Sequence, residues 1–122
     1  MAVELQIRLL GGFEVRSSDQ ATAAPGAWRL RKAKTLVKML AVQPGHALPR
    51  DVVVDALWPD TDVDAARNNL HQVVHAARRA IETVGIAGGD ALAWNDTLLV
   101  LGRHCRVVTD VEQLDAAAKL LI

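Results

Sequence analysis

The strongest constraint on the fold is residues 64–81, DAARNNLHQVVHAARRAI, a stretch without proline or glycine. At about 100° per residue, its apolar side chains fall within an arc of roughly 100° on a helical wheel. These side chains are Ala66, Leu70, Val73, Val74, Ala77 and Ile81. The stretch therefore predicts an amphipathic helix that buries one side in a core.

The opposite side of this helix is polar, and none of its side chains is acidic. It spans roughly 140° of the wheel and consists of Arg67, Asn68, His71, Gln72, His75, Arg78 and Arg79. Arg, Asn, Gln and His hydrogen-bond base edges in a DNA major groove, and Arg also pairs with phosphate. The two interpretations are a DNA-recognition helix and an ordinary solvated face, and wheel geometry alone favours the second.

The overall composition indicates one globular domain. The chain has 122 residues, of which 51% are hydrophobic and 23% charged, which excludes a disordered polypeptide. No apolar run is long enough to cross a bilayer, and the N-terminus lacks the pattern of a secretory signal. The single Cys105 cannot form an internal disulfide, so we expect a cytoplasmic protein with no membrane partner.

The charges balance but are unevenly distributed. Fourteen basic and 14 acidic residues give a formal net charge of zero, which on average disfavours nucleic-acid binding. Residues 29–79 nevertheless carry nine basic against five acidic side chains, whereas residues 82–122 carry three against six. This distribution is compatible with a bipolar molecule that has one basic face.

The N-terminal part predicts a hairpin followed by a helix. Residues 3–9 alternate between apolar and polar, and residues 13–16 resume the pattern after two glycines, which indicates two strands. Residues 17–26 are typical of a loop, and residues 30–43 of a helix ended by Pro44. The start of this helix is basic, which opposes its dipole. Phosphate contact or packing of lysine stems along a solvated face could explain it.

The middle of the chain predicts a helix-turn-helix. Residues 47–48 suggest a short strand, and residues 49–58 a helix ended by Pro59. A brief connection follows, in which Thr61 or Asp62 could cap the amphipathic helix. Two helices joined by a short turn, the second with a polar face, form the pattern of a helix-turn-helix.

The C-terminal part predicts a hairpin and a last helix. The strands are residues 91–94 and 97–101, on either side of the turn pair Asn95 and Asp96. A hairpin directly after a recognition helix is a wing. Residues 110–122 indicate a final helix with Val111, Leu114, Ala118 and Leu121 on one side. Its uncapped apolar end suggests that the natural chain continues.

Several motifs resemble the N-terminal domain of the Streptomyces antibiotic regulatory protein group, which is related to OmpR/PhoB-type winged helix-turn-helix domains. They are RKAKTLV (31–37), LAVQPGHALPRD (40–51), DALWPD (55–60), AARNNL (65–70), ARRAI (77–81), LLVL (98–101) and VVTDV (107–111). LWPD is the most specific of them. Three positions depart from the group's pattern: Pro49 where a Ser or Thr cap is usual, Ala77 where Leu is usual, and Leu114 where an aromatic residue is common. Asp96 is unfavourable on physical grounds, because a cation at the wing tip would suit a minor groove better.

The resemblance implies an α+β winged helix-turn-helix with a four-stranded N-terminal antiparallel sheet, a three-helix core and a C-terminal hairpin. It also implies a DNA-binding domain over residues 1–108 of a bacterial transcriptional regulator. Residues 109–122 would begin a bacterial transcriptional activation domain, a helical-repeat module. The partners would be double-stranded DNA and a second copy on repeated half-sites. Apart from the resemblance, the acidic connection 60–64 could contact RNA polymerase, but a solvated loop with helix-capping acids explains it more simply.

In such a domain we expect two groups of DNA contacts. The N-terminal half of a recognition helix enters the groove, so the candidates for base edges are Arg67, Asn68, His71, Gln72 and His75. The candidates for phosphate contacts are Arg78, Arg79, Arg50 at the start of the second helix and Arg103 beside the wing.

Other functions have weaker support in the sequence. His71 and His75 have the spacing of two metal ligands, but HQVVH lacks the glutamate of a zincin motif and no third ligand is evident. Cys105 has no recognisable triad partner, and no catalytic carboxylate pair or phosphate loop is present. We therefore expect no enzyme, metal or cofactor. The serious alternative is a winged-helix adaptor that binds protein rather than DNA, which the zero net charge favours.

Overall fold

The computed structural model describes residues 3–19 and 21–121, and its architecture confirms the α+β prediction. Helices and two small three-stranded sheets pack around one apolar core. The strands are β1 (Glu4–Arg8), β2 (Glu14–Ser17), β3 (Ala47–Pro49), β4 (Leu92–Asn95), β5 (Leu98–Leu101) and β6 (Arg106–Thr109). The helices are α1 (Arg31–Val42), α2 (Arg50–Leu57), α3 (Val63–Glu82), α4 (Gly88–Ala91) and α5 (Asp110–Leu120). Short 3-10 turns cover Pro25–Trp28 and Pro44–His46.

The amphipathic helix lies where the sequence predicts it. All six apolar side chains of the predicted stripe are buried in α3, together with Ala80. Asp62 is its N-cap and accepts a hydrogen bond from the backbone amide of Ala65 at 3.4 Å. Because one side of α3 packs against α1 and α2, its polar side is left facing outward.

The wing forms with a turn one residue later than predicted. β4 and β5 are antiparallel, and β3 pairs with the other edge of β5. The turn residues are Asp96 and Thr97 rather than Asn95 and Asp96, because Asp96 adopts the left-handed conformation with φ of 60°. The carbonyl oxygen of Thr97 accepts a hydrogen bond from the amide of Arg50 at 2.9 Å. The wing tip therefore lies beside the start of α2.

The first sheet differs from the four-stranded antiparallel sheet that the resemblance implied. The predicted hairpin of β1 and β2 is confirmed, but the third strand is β6, which pairs parallel to β1. Within the described residues, the loop after β2 contributes only an isolated bridge between Arg16 and Thr22. That loop is rich in small residues and proline, which are poor strand formers, so it adds no full strand beyond β2. At the other side of the sheet, β6 pairs with the remaining edge of β1.

The first helix begins one residue later than predicted. Leu30, the first residue of the helix predicted over residues 30–43, precedes α1 and is exposed. The short helix α4 was not predicted; it contains Gly88 and Gly89, and Gly88 is buried against α3.

The last helix is attached mainly through its first turn. Thr109 caps α5 by accepting from the amide of Glu112, and the Asp110 carboxylate accepts from the amides of Leu9 and Leu10, both at 2.9 Å. No residue of α5 is buried among the described residues, so its predicted apolar side does not enter the core. Ile122, predicted as part of this helix, lies outside the described residues, as do Met1, Ala2 and Gln20.

Candidate nucleic-acid interface

The outward face of α3 brings together most of the predicted contact residues. Asn68, His71, Gln72, His75 and Arg79 are exposed, whereas Arg67 and Arg78 are half-buried. Between Asp64 and Glu82, no acidic side chain lies on the helix. The face can therefore offer hydrogen-bond donors and acceptors to base edges without repelling phosphates.

Arg50 and Arg67 come together around the carboxylate of Asp51. The Nη2 atom of Arg67 lies 3.4 Å from Oδ1 of Asp51, and the Nε atom of Arg50 lies 4.0 Å from the same oxygen. This cluster joins α2 to the N-terminal half of α3. The sequence did not reveal Asp51, because it is 16 residues from Arg67 and no helical spacing relates the two.

Arg78 and Arg79 are adjacent in sequence but have different environments. The Nε atom of Arg78 donates a hydrogen bond of 2.7 Å to the carbonyl oxygen of Leu92, the first residue of β4. Arg78 therefore connects α3 to the wing. Arg79 is exposed, which makes it the less constrained of the two cations.

The structure places Arg103 at the base of the wing rather than at its tip. It is exposed on the loop after β5, where the amide of His104 donates to the carbonyl oxygen of Asp90 at 2.9 Å. The opposite end of the hairpin carries Asp96. Arg50 and Arg103 are therefore at opposite ends of the wing.

The basic start of α1 has partners within the molecule. Lys32 donates to the carbonyl oxygen of Leu57 at 2.8 Å, and its Nζ lies 5.4 Å from the centre of the Trp58 ring. Lys34 and Lys38 both lie over the ring of Phe13, at 5.6 and 5.4 Å. Of the two explanations open from the sequence, these contacts favour packing over phosphate binding for the three lysines.

The remaining candidate chemistry has little geometric support. No group of three or more metal-ligating side chains converges in residues 3–19 and 21–121. Burial raises the pKa of the Cys105 thiol and the nearby Asp90 carboxylate raises it further, which lowers the thiolate fraction that a nucleophile needs. Within the same ranges, no helix has the length and apolar character to cross a membrane.

The order of the elements is that of a winged helix-turn-helix domain: α1, α2 and α3 form the helical core, and β4 and β5 form the wing directly after it. The structure of Mycobacterium tuberculosis EmbR, solved in complex with a low-affinity phosphopeptide, has a similar fold, with a TM-score of 0.64. The two sequences are 23% identical, and the match covers 80% of this chain but only 25% of EmbR. At this identity the similarity shows the fold alone.

Sequence comparisons add nothing to this similarity. No family model matches the chain, and no curated protein matches it.

Proposed function

We propose that this chain is the sequence-specific DNA-binding domain of a bacterial transcriptional regulator of the Streptomyces antibiotic regulatory protein type, with α3 in the major groove. The observation that carries the proposal is the outward face of α3, which is nitrogen-rich and free of acidic side chains over residues 65–81. Residues 1–108 form the DNA-binding unit, and residues 109–122 begin the next, helical region.

The roles of the side chains follow from their position along α3. Side chains in its N-terminal half contact base edges: Arg67, Asn68, His71, Gln72 and His75. Phosphates are held by Arg79, by Arg50 at the start of α2 and by Arg103 at the base of the wing. Arg78 reaches phosphate only with the part of its guanidinium that the bond to Leu92 leaves free.

Two further partners belong to the same proposal. The connection before α3 exposes Asp60 and Asp62, and the first turn of α3 exposes Asp64; these carboxylates offer an acidic surface to RNA polymerase. Since Asp62 already caps α3, its contribution to such a surface is small. A second copy on repeated half-sites would place two α3 helices on one operator.

The test is binding to DNA measured by fluorescence anisotropy, first with a random duplex at low salt. We expect binding that weakens steeply as salt rises, because phosphate contacts release counterions. A duplex selected by the protein from a randomised pool should then bind more tightly than the random one. The adaptor alternative, which the zero net charge favours, predicts no salt-dependent binding to any duplex.

Two variants test the assigned roles. Asn68→Ala should cost about 1 to 3 kcal/mol on the selected duplex by relaxing one base position, with little effect on random DNA. Arg79→Ala should weaken both duplexes and reduce the salt slope by about one unit. Lys119→Ala on the exposed α5 removes the same charge away from α3 and serves as the control. An equal loss on both duplexes for Asn68→Ala would contradict its role.

A further inference from the structure

Asp51 is an acidic side chain placed between two cations of the proposed DNA-binding surface. Its side chain is 77% exposed and lies within 4.0 Å of Arg50 and 3.4 Å of Arg67. A carboxylate here repels the phosphates that the two arginines would attract. General affinity for DNA would be higher without it, so its position calls for an explanation other than affinity.

The contacts of Arg67 restrict what it can reach. Its Nε atom is buried without a hydrogen-bond partner among the described residues, and Asp51 holds its Nη2 atom. An exposed ion pair of this kind is weak and can be exchanged for another acceptor. A phosphate offers Arg67 the same kind of anionic oxygen that Asp51 already supplies, whereas the O6 and N7 atoms of guanine accept two hydrogen bonds in a pattern that identifies one base.

From this geometry we infer that Asp51 is a specificity-determining residue that acts through Arg67. On DNA that lacks the matching base, Arg67 stays paired with Asp51. Where a base edge accepts two hydrogen bonds, Arg67 leaves Asp51 and binds that base. Asp51 is thus a positioning residue, and it lowers affinity for wrong sequences more than for the right one. This inference rests on the proposed function, since it requires that α3 read DNA.

A purely structural role for Asp51 predicts a different result. Acidic side chains in the first turn of a helix interact favourably with its dipole, and Asp51 is in the first turn of α2. Losing that interaction would lower stability without changing the ratio of affinities for selected and random duplexes. That ratio therefore separates the two roles.

The decisive comparison is Asp51→Asn with Asp55→Asn in the full 122-residue chain. Asp55 is one turn further along α2, is exposed, and forms no ion pair with any residue in the described ranges. Both variants remove one negative charge from the same helix. We expect Asp51→Asn to bind random duplex about three- to fivefold more tightly and to bind the selected duplex with little change. Asp55→Asn should leave the ratio of the two dissociation constants unchanged.

Two further variants tie the effect to Arg67. Asp51→Glu keeps the charge and can still reach Arg67, so it should restore the wild-type ratio. In an Arg67→Ala background, Asp51→Asn should no longer alter the ratio, since the side chain that it releases is gone. Urea unfolding of each variant identifies any that does not fold. If Asp51→Asn is one of them, Asp51→Ser removes the same charge and replaces it in the comparison with Asp55→Asn.

The outcomes distinguish this inference from the proposed function. If the wild-type chain binds no duplex, both are wrong. If it binds duplex but selection enriches no sequence, or if Asp51→Asn and Asp55→Asn change the ratio equally, DNA binding stands and the role of Asp51 is overturned. An effect of Asp51→Asn that persists without Arg67 also overturns it.

Discussion

Gly88 and Gly89 are neighbours in α4, yet only Gly88 lies in close contact with another helix. A Cβ atom built on Gly88 would be 2.6 Å from Cβ of Arg78 and 3.1 Å from its carbonyl oxygen. This close approach brings α4, and the wing strand that follows it, against the middle of α3. The absence of a side chain at position 88 therefore helps to position Arg78 at its bond with Leu92.

We expect Gly88→Ala to reduce the free energy of unfolding by about 1 to 3 kcal/mol, because the added methyl group forces α4 away from α3. Gly89→Ala is the matched control, since no atom lies within 4 Å of a Cβ built there. It should be neutral or stabilising by up to about 1 kcal/mol. Urea denaturation followed by circular dichroism measures both. Equal losses for the two variants would contradict the close packing at position 88.

Which side chains of α3 are exposed could be predicted from the sequence, but the partners of its arginines could not. A period of 3.6 residues sorts α3 into a buried and an exposed side, and the structure has the same division. The partners of Arg67 and Arg78 are 16 and 14 residues away on other elements. Such contacts depend on how helices and strands pack together, which helical periodicity does not encode.

The helices α1 and α2 share one positive charge, which is unfavourable at the start of α1 and favourable at the end of α2. Lys32 is in the first turn of α1, where a cation opposes the helix dipole. Its ammonium group donates to the carbonyl oxygen of Leu57, the last residue of α2, where a cation is favourable. The contact of Lys32 with Trp58 gives a structural role to the LWPD motif.

We expect Lys32→Met to lower the free energy of unfolding by about 1.5 to 3 kcal/mol, because it removes a charged hydrogen-bond donor but keeps the aliphatic stem. Arg31→Met is the control, since Arg31 is exposed beside Lys32 and its side chain has no ion pair within the described ranges. Thermal and urea unfolding of both variants provide the measurement. DNA binding of the two variants can be compared as well. If Arg31→Met reduces the salt slope and Lys32→Met does not, Arg31 is the side chain at the start of α1 that contacts phosphate. Equal stability of the two variants would contradict the role of Lys32.

At the scale of the whole molecule, the first and last parts of the chain hold each other in place. β1 pairs with β6, and the carboxylate of Asp110 accepts hydrogen bonds from Leu9 and Leu10, about 100 residues earlier. The α+β class could be predicted, because the two-residue period of strands and the 3.6-residue period of helices are visible within short segments. The parallel pairing of β6 with β1 could not be predicted, because RVVT is only four residues long and nothing in it specifies a partner so distant in sequence.

The Asp110 carboxyl should make the free energy of unfolding depend on pH in the acidic range. Burial raises its pKa, but hydrogen bonds from the amides of Leu10, Leu9 and Val111 together outweigh burial and hold the pKa below the ordinary value of 3.8. A carboxyl whose folded pKa is lowered contributes stability above its unfolded pKa, and this contribution disappears as pH falls through the folded value. We therefore expect Asp110→Asn to be less stable than wild type at neutral pH.

The same variant should also lose less stability on acidification from about pH 5 to below about pH 3. Urea unfolding across this range measures the difference. Asp115→Asn is the control, because the ion pair that Asp115 forms within residues 3–19 and 21–121 is an exposed one with Lys119 on the same helix. If Asp110→Asn and wild type respond to acid with the same slope, the amides of Leu9 and Leu10 do not set the charge state of Asp110.

The parallel pairing of β1 with β6 also has a mechanical consequence. Glu4 lies opposite Arg106 and Ile7 opposite Thr109, so the two strands begin and end side by side. Tension applied to the polypeptide before β1 and after β6 would pull these strands past each other along their lengths. All the hydrogen bonds of the ladder would then bear the load together instead of opening one at a time, and the helices between them would be shielded from the force.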